Sequence, residues 1–193
     1  SFIIFTYFLF LFFTMGSTDF SYLYFGLTCL FFGLSYVNMS FNHDGIPQIF
    51  IEKISRGSFP WTVMFVTFFI MEFTNHFNHN KWLKTGITIP IVLLTIITMV
   101  QEKIVGIAST FQFTMVGIML PLLIFSIVIL IVSLVKDKNK KTVIILISFA
   151  AVIGTAAHDI IHVTASMYPY VYVMQFGFFS LVISLFFLLA FDQ

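Results

Sequence analysis

The chain has 193 residues, of which 60% are hydrophobic and only 9% charged, with a formal net charge of +1. So little polar surface excludes a soluble globular domain of this length, and so small a charge gives a nucleic-acid partner nothing to bind. The apolar runs are too long and too uniform for the alternating strands of a membrane barrel, and lipid offers the backbone no hydrogen bonds, so the sequence predicts an all-α membrane protein.

A spanning helix takes about 20 apolar residues. By that measure the chain reads as a single seven-helix transmembrane domain over 1–193, with helices at about 1–14, 20–38, 59–75, 84–100, 109–135, 142–162 and 168–191. The first run is short and begins at Ser1, without an initiator Met. The last closes just before Asp192, so the expectation is a piece of a longer receptor. The second run holds Cys29, the single cysteine, which excludes an internal disulfide. A polar stretch from Asn42 to Ser58 precedes the third, which Pro60 is expected to open, since a missing N–H is harmless in a first turn. In the fifth, Pro121 predicts a kink.

Loop cations give the bundle a direction. With the N-terminus outside, the cytoplasmic loops carry Lys81, Lys84, Lys136, Lys138, Lys140 and Lys141, and the outer ones only Lys53, Arg56 and Lys103. The expected topology is therefore N-terminus outside and C-terminus cytoplasmic. The cluster at Lys136 to Lys141 reads as a topology anchor or as a contact with anionic lipid. Trp61, Tyr168, Tyr170 and Tyr172 fit an outer aromatic belt, and Trp82, Tyr22 and Tyr24 an inner one. An odd number of helices makes the seventh an exit into the cytoplasm.

Few residues offer chemistry. His158 and His162 stand at i, i+4 on one helix face, a spacing that can hold a metal. His43 would be the third ligand, and the glutamate of metalloprotease helices is missing. The plain alternative is a pair of wet interfacial histidines. Asp159 is an ionisable group within a membrane segment, which makes it a functional candidate by default. Gln175, Gln112 and Asn38 can line an outer-half polar cavity with it, or can serve as hydrogen-bond glue between helices. Glu72 lies within reach of Lys81 or Lys84 and reads as an interfacial residue rather than a proton relay. There is no nucleotide loop, no Gly-x-Ser-x-Gly and no cysteine pair, and no lysine lies mid-membrane for a retinal Schiff base.

Three stretches carry a family likeness. They are Ser21-Tyr22-Leu23-Tyr24-Phe25-Gly26-Leu27 at the start of helix two, Phe59-Pro60-Trp61 after a long outer loop, and His158-Asp159-Ile160-Ile161 with Gln175-Phe176-Gly177-Phe178 through Leu188-Leu189-Ala190 in helices six and seven. In these the chain resembles the bacterial seven-transmembrane receptors with diverse intracellular signalling modules. The family often has Asn before that Asp and a basic residue after the last Ala, where this chain has His158 and Phe191. The resemblance implies a sensor of the bacterial inner membrane, itself neither an enzyme nor a cofactor protein. It also implies an extracytoplasmic sensor domain before the bundle and a cytoplasmic histidine kinase, diguanylate cyclase or phosphatase after it. The expected partners are those domains, membrane lipid and a second copy in a homodimer. Pro121 and the Gly177 region are the expected places for bending.

Two other readings stand beside this one. Seven-helix zinc hydrolases of the alkaline ceramidase kind use a His-x-x-x-His element, which His158 and His162 resemble, but in their last helix rather than the sixth. A small-solute transporter is expected to show paired broken helices in its two halves, whereas Pro90 and Pro121 are single events.

Overall fold

The computed structural model describes residues 2–14, 20–37, 47–77, 79–137, 140–164 and 174–190, and the side chains of most of them. All regular structure among these is helical: α1 (Phe2–Thr14), α2 (Phe20–Ser35), α3 (Gln48–Phe73), α4 (Lys81–Val100), α5 (Ile104–Thr114), a π-helical turn (Met115–Met119), α6 (Leu120–Asp137), α7 (Lys140–Thr164) and α8 (Met174–Ala190). α3, α4 and the continuous rod of α5, turn and α6 are long and apolar enough to cross a membrane. α1, α2 and the stretches Thr142–Thr155 of α7 and Phe176–Phe187 of α8 are shorter apolar segments. The chain forms two compact units, residues 1–129 and 130–193.

In the first unit, phenylalanines bind α1, α2 and α3 together. Phe8 packs edge-on against Phe25 with ring centroids 4.6 Å apart. Gly26 allows that approach, because a Cβ there would lie 3.3 Å from the Cβ of Phe8. Tyr24 and Phe25 then meet Phe68 and Phe69, while Phe31 stacks on Trp61. Later residues of α2 therefore face earlier ones of α3, and the two helices are antiparallel. Lipid is as apolar as these rings, so the packing itself, about 0.5–1.5 kcal/mol per aromatic pair, holds the helices together. Tyr22 is buried against Phe8 and is not a belt residue, whereas Trp82 is 89% exposed.

The structure corrects the start of α3. The helix begins at Gln48, after Pro47, and Pro60 lies inside it. Glu52, Lys53 and Arg56 made this stretch look like a loop, yet their charges are answered within and beside the helix. Arg56 Nε donates to Glu52 Oε2 one turn away at 2.6 Å. Lys53 Nζ donates to the carbonyl of Met99 at 2.7 Å. A helix tolerates charges that are paired along its own surface or spent on a neighbour's open end.

Between α3 and α4 the chain turns sharply. Thr74 ends the helix, and Asn75 takes a left-handed conformation (φ 56°). His76 N–H then reaches the Met71 carbonyl at 3.1 Å and Asn75 N–H the Glu72 carbonyl at 3.0 Å. This paired closure is the Schellman motif, with Asn where Gly is commonest. Asn80 caps α4 by accepting from Leu83 N–H at 3.1 Å. In the second unit, α7 and α8 form a close pair. A Cβ on Gly177 would run into Thr155 Oγ1 and lie 3.0 Å from the Ala151 carbonyl oxygen and Val152 Cα. The Ser148 and Ser184 hydroxyls hydrogen-bond at 2.7 Å. Gly177 is thus a point of tight helix contact.

Candidate functional site

Polar side chains gather at the two ends of α3. At its start, Glu52 is buried, and Arg56 bonds to it while its guanidinium lies 5.7 Å from the Phe111 ring centroid. Lys53 closes α4 at Met99, and the Ser55 hydroxyl donates to the carbonyl of Ser35, the last residue of α2. Both acceptors are helix-end carbonyls with no bond inside their own helix. Gly57 fits under the Met99 side chain, and Trp61 Nε1 donates to Thr95 Oγ1 at 2.9 Å. One stretch of α3 therefore satisfies the open ends of two neighbouring helices.

At the other end, Lys84 Nζ lies 3.4 Å from Glu72 Oε2 and 3.4 Å from the Tyr24 hydroxyl. It also stands 5.2 Å from the Tyr24 ring centroid and 5.9 Å from that of Phe68. Glu72 thus pairs with Lys84, one of the two lysines its sequence position allowed. Glu52 and Glu72 are about 20 residues apart on one helix, which at about 1.5 Å per residue separates them by about 30 Å. A bilayer's hydrocarbon core is about 30 Å thick. Lys53 and Arg56 fall in the first two turns of the interval between the two nodes, and from 57 to 71 α3 is uncharged and mostly apolar. Its buried polar exceptions are Ser58, Thr62 and Thr67, and the two threonine hydroxyls bond to helix carbonyls, Thr62 to Ser58 at 3.4 Å and Thr67 to Val63 at 2.9 Å. Thr67 spends its one proton there, so the Ser126 hydroxyl, 3.0 Å away on α6, donates to it.

Of the ligand or relay residues singled out from the sequence, only His158 and Gln112 have described side chains. His158 is exposed on α7 and Gln112 exposed on α5. Asp159 and His162 follow His158 on α7, and Gln175 lies in the first turn of α8, with side chains outside the description. Asn38 and His43 lie outside the described residues altogether. Among the described residues no group of three His, Cys, Asp or Glu side chains is placed to hold a metal ion. Glu72 was singled out by sequence with its lysine partner, whereas the node at Glu52 was missed. Its signal was the i, i+4 spacing of Glu52 and Arg56, which fell in a stretch read as a loop.

No curated protein and no solved structure matches the chain. The family model described as 7TM diverse intracellular signalling matches residues 1–192. That match covers nearly the whole chain and agrees with the helices, their apolar faces and the membrane-length spacing of the charges on α3. It makes the protein an integral membrane protein of sensor type, in a family that is not one of enzymes. The chain belongs to the 7TM diverse intracellular signalling family.

Proposed function

We propose that the chain is the transmembrane transducer of a bacterial signalling receptor in the cytoplasmic membrane. It crosses seven times, with its N-terminus outside and its C-terminus in the cytoplasm. A ligand, or a liganded extracytoplasmic domain before the bundle, biases one of two helix packings. α8 carries the difference to a cytoplasmic output domain of histidine kinase or diguanylate cyclase type, and two copies act together. A ligand shifts such an equilibrium only by its differential affinity for the two packings.

The observation that carries this reading is the family match over residues 1–192. The membrane-length interval between the Glu52 and Glu72 nodes supports the crossing. The lysine bias across the loops supports the orientation. His158, Asp159, His162, Gln175, Asn38 and Gln112 are the outer-half residues proposed to line a ligand or relay site.

The test fixes α8 against α7. In the receptor that carries this module, Ser148 and Ser184 are both changed to cysteine, with Cys29→Ala, and oxidised. Their hydroxyls already touch, so the disulfide locks the packing seen here. The expected result is output that no longer responds to ligand and recovers on reduction. A response unchanged by the crosslink contradicts transmission through α8.

A further inference from the structure

The buried residues along the rod from Ile104 to Ile129 keep a helical interval except at one point. Ile107, Thr114, Met119, Leu122, Ser126 and Ile129 are all buried. Phe111 joins them, meeting Phe59 of α3. Successive members are three or four residues apart, as a helix with one packed face requires. The exception is the step from Thr114 to Met119, which takes five, and there the π-helical turn sits. Leu120 N–H bonds to the Met115 carbonyl across that widened turn. The extra residue keeps the buried stripes of α5 and α6 on one line.

Two neighbours bear on how firmly the turn is held. Pro121, one residue beyond its Leu120 cap position, has no N–H to give the Gly117 carbonyl, which its ring would crowd in a regular α-helix. The widened turn avoids that clash. Gly117 is not needed for close packing, since a Cβ there would meet only the Phe113 ring at 3.9 Å. What glycine provides at this position is backbone freedom.

The residues one position earlier than the present stripe are Ile118, Pro121, Phe125 and Val128. All are apolar. If the turn became α-helical, each would take the place of its successor, with α6 turned by about 100° and shifted by about 1.5 Å. No charged group would be stranded by the exchange. Ser126 would leave Thr67, and its hydroxyl can bond back to its own helix.

We propose that the π-helical turn is a two-register joint. α6 alternates between the register seen here, with Ser126 on Thr67, and an all-α register with Phe125 in that place. The inference concerns the bundle alone, and its test reads the helices rather than any output. It can therefore fail while the signalling reading stands, and the reverse.

The experiment uses the full chain in membranes with Cys29→Ala. One variant pairs Thr67→Cys with Ser126→Cys, the other Thr67→Cys with Phe125→Cys. Oxidative crosslinking is quantified by mass spectrometry after proteolysis. Both pairs are expected to form. Deleting Val116 removes the extra residue while keeping the native faces, so it is expected to retain the 67–126 crosslink and lower the 67–125 crosslink about tenfold. Pro121→Ala restores an N–H for the Gly117 carbonyl and is expected to move the ratio about threefold toward 67–125. A 67–125 crosslink that never forms, or that survives the deletion undiminished, overturns the proposal. Should the deletion variant not fold, an unchanged ratio in Pro121→Ala overturns it alone.

Discussion

Lys53 reaches from the second turn of α3 to the carbonyl of Met99, the next-to-last residue of α4, and donates to it at 2.7 Å. A cation at a helix C-terminus meets both an orphan acceptor and the negative end of the helix dipole. Lys53→Met keeps the length of the side chain and removes the donor. It is expected to lower stability by about 1 kcal/mol, while Lys53→Arg retains most of it. Thermal unfolding of the purified protein in detergent checks the order of the three.

The Glu52–Arg56 pair makes a different prediction. Glu52 is buried, with Arg56 only part-exposed beside it. Removing the carboxylate leaves a guanidinium over an aromatic ring without its counter-ion. Glu52→Ala is expected to cost about 1–3 kcal/mol. The double change Glu52→Met with Arg56→Met is expected to cost less than Glu52→Ala alone, because it strands no charge. A double change that costs the sum of the two single ones contradicts this account of the node.

At the α7–α8 contact, shape outweighs hydrogen bonding. Gly177→Leu must push α8 away from Thr155 and the α7 backbone, for an expected loss of about 1–3 kcal/mol. Ser184→Ala removes one hydroxyl contact with Ser148, worth about 0.6 kcal/mol in a membrane protein. Unfolding in mixed micelles ranks the two, and equal effects contradict the close-contact role of Gly177.

The turn after α3 depends on Asn75 at φ 56°. A β-branched side chain is poorly tolerated there, and Asn75→Val is expected to cost about 1–2 kcal/mol. Asn75→Gly is expected to be neutral or stabilising, as glycine is the residue this closure favours. Protease resistance of the segment between α3 and α4 reports the difference without global unfolding.

Much of the fold was legible in composition, and less of the site. Apolar runs of membrane length gave the helices their existence and order, because lipid leaves the backbone no alternative. They did not give the start of α3. There Glu52, Lys53 and Arg56 read as loop charges, since the acceptor on Met99 is 46 residues away in sequence. Pro60 read as a helix opener for the same reason: what precedes it looked polar. Pro121 did signal an irregularity, but a kink and a π-helical turn leave the same mark on a sequence. The five-residue step from Thr114 to Met119 appears only once burial is known. Nor was the close contact at Gly177 legible, because only the neighbouring helix shows what a Cβ would strike.

The central claim is that the chain enters on one side of a membrane and leaves on the other. Single cysteines at positions 1 and 193, in a Cys29→Ala background, test it directly with a membrane-impermeant maleimide. Labelling of position 1 in intact cells, and of position 193 only after the membrane is opened, is the predicted result. Labelling of both positions from the same side means an even number of crossings and contradicts the account.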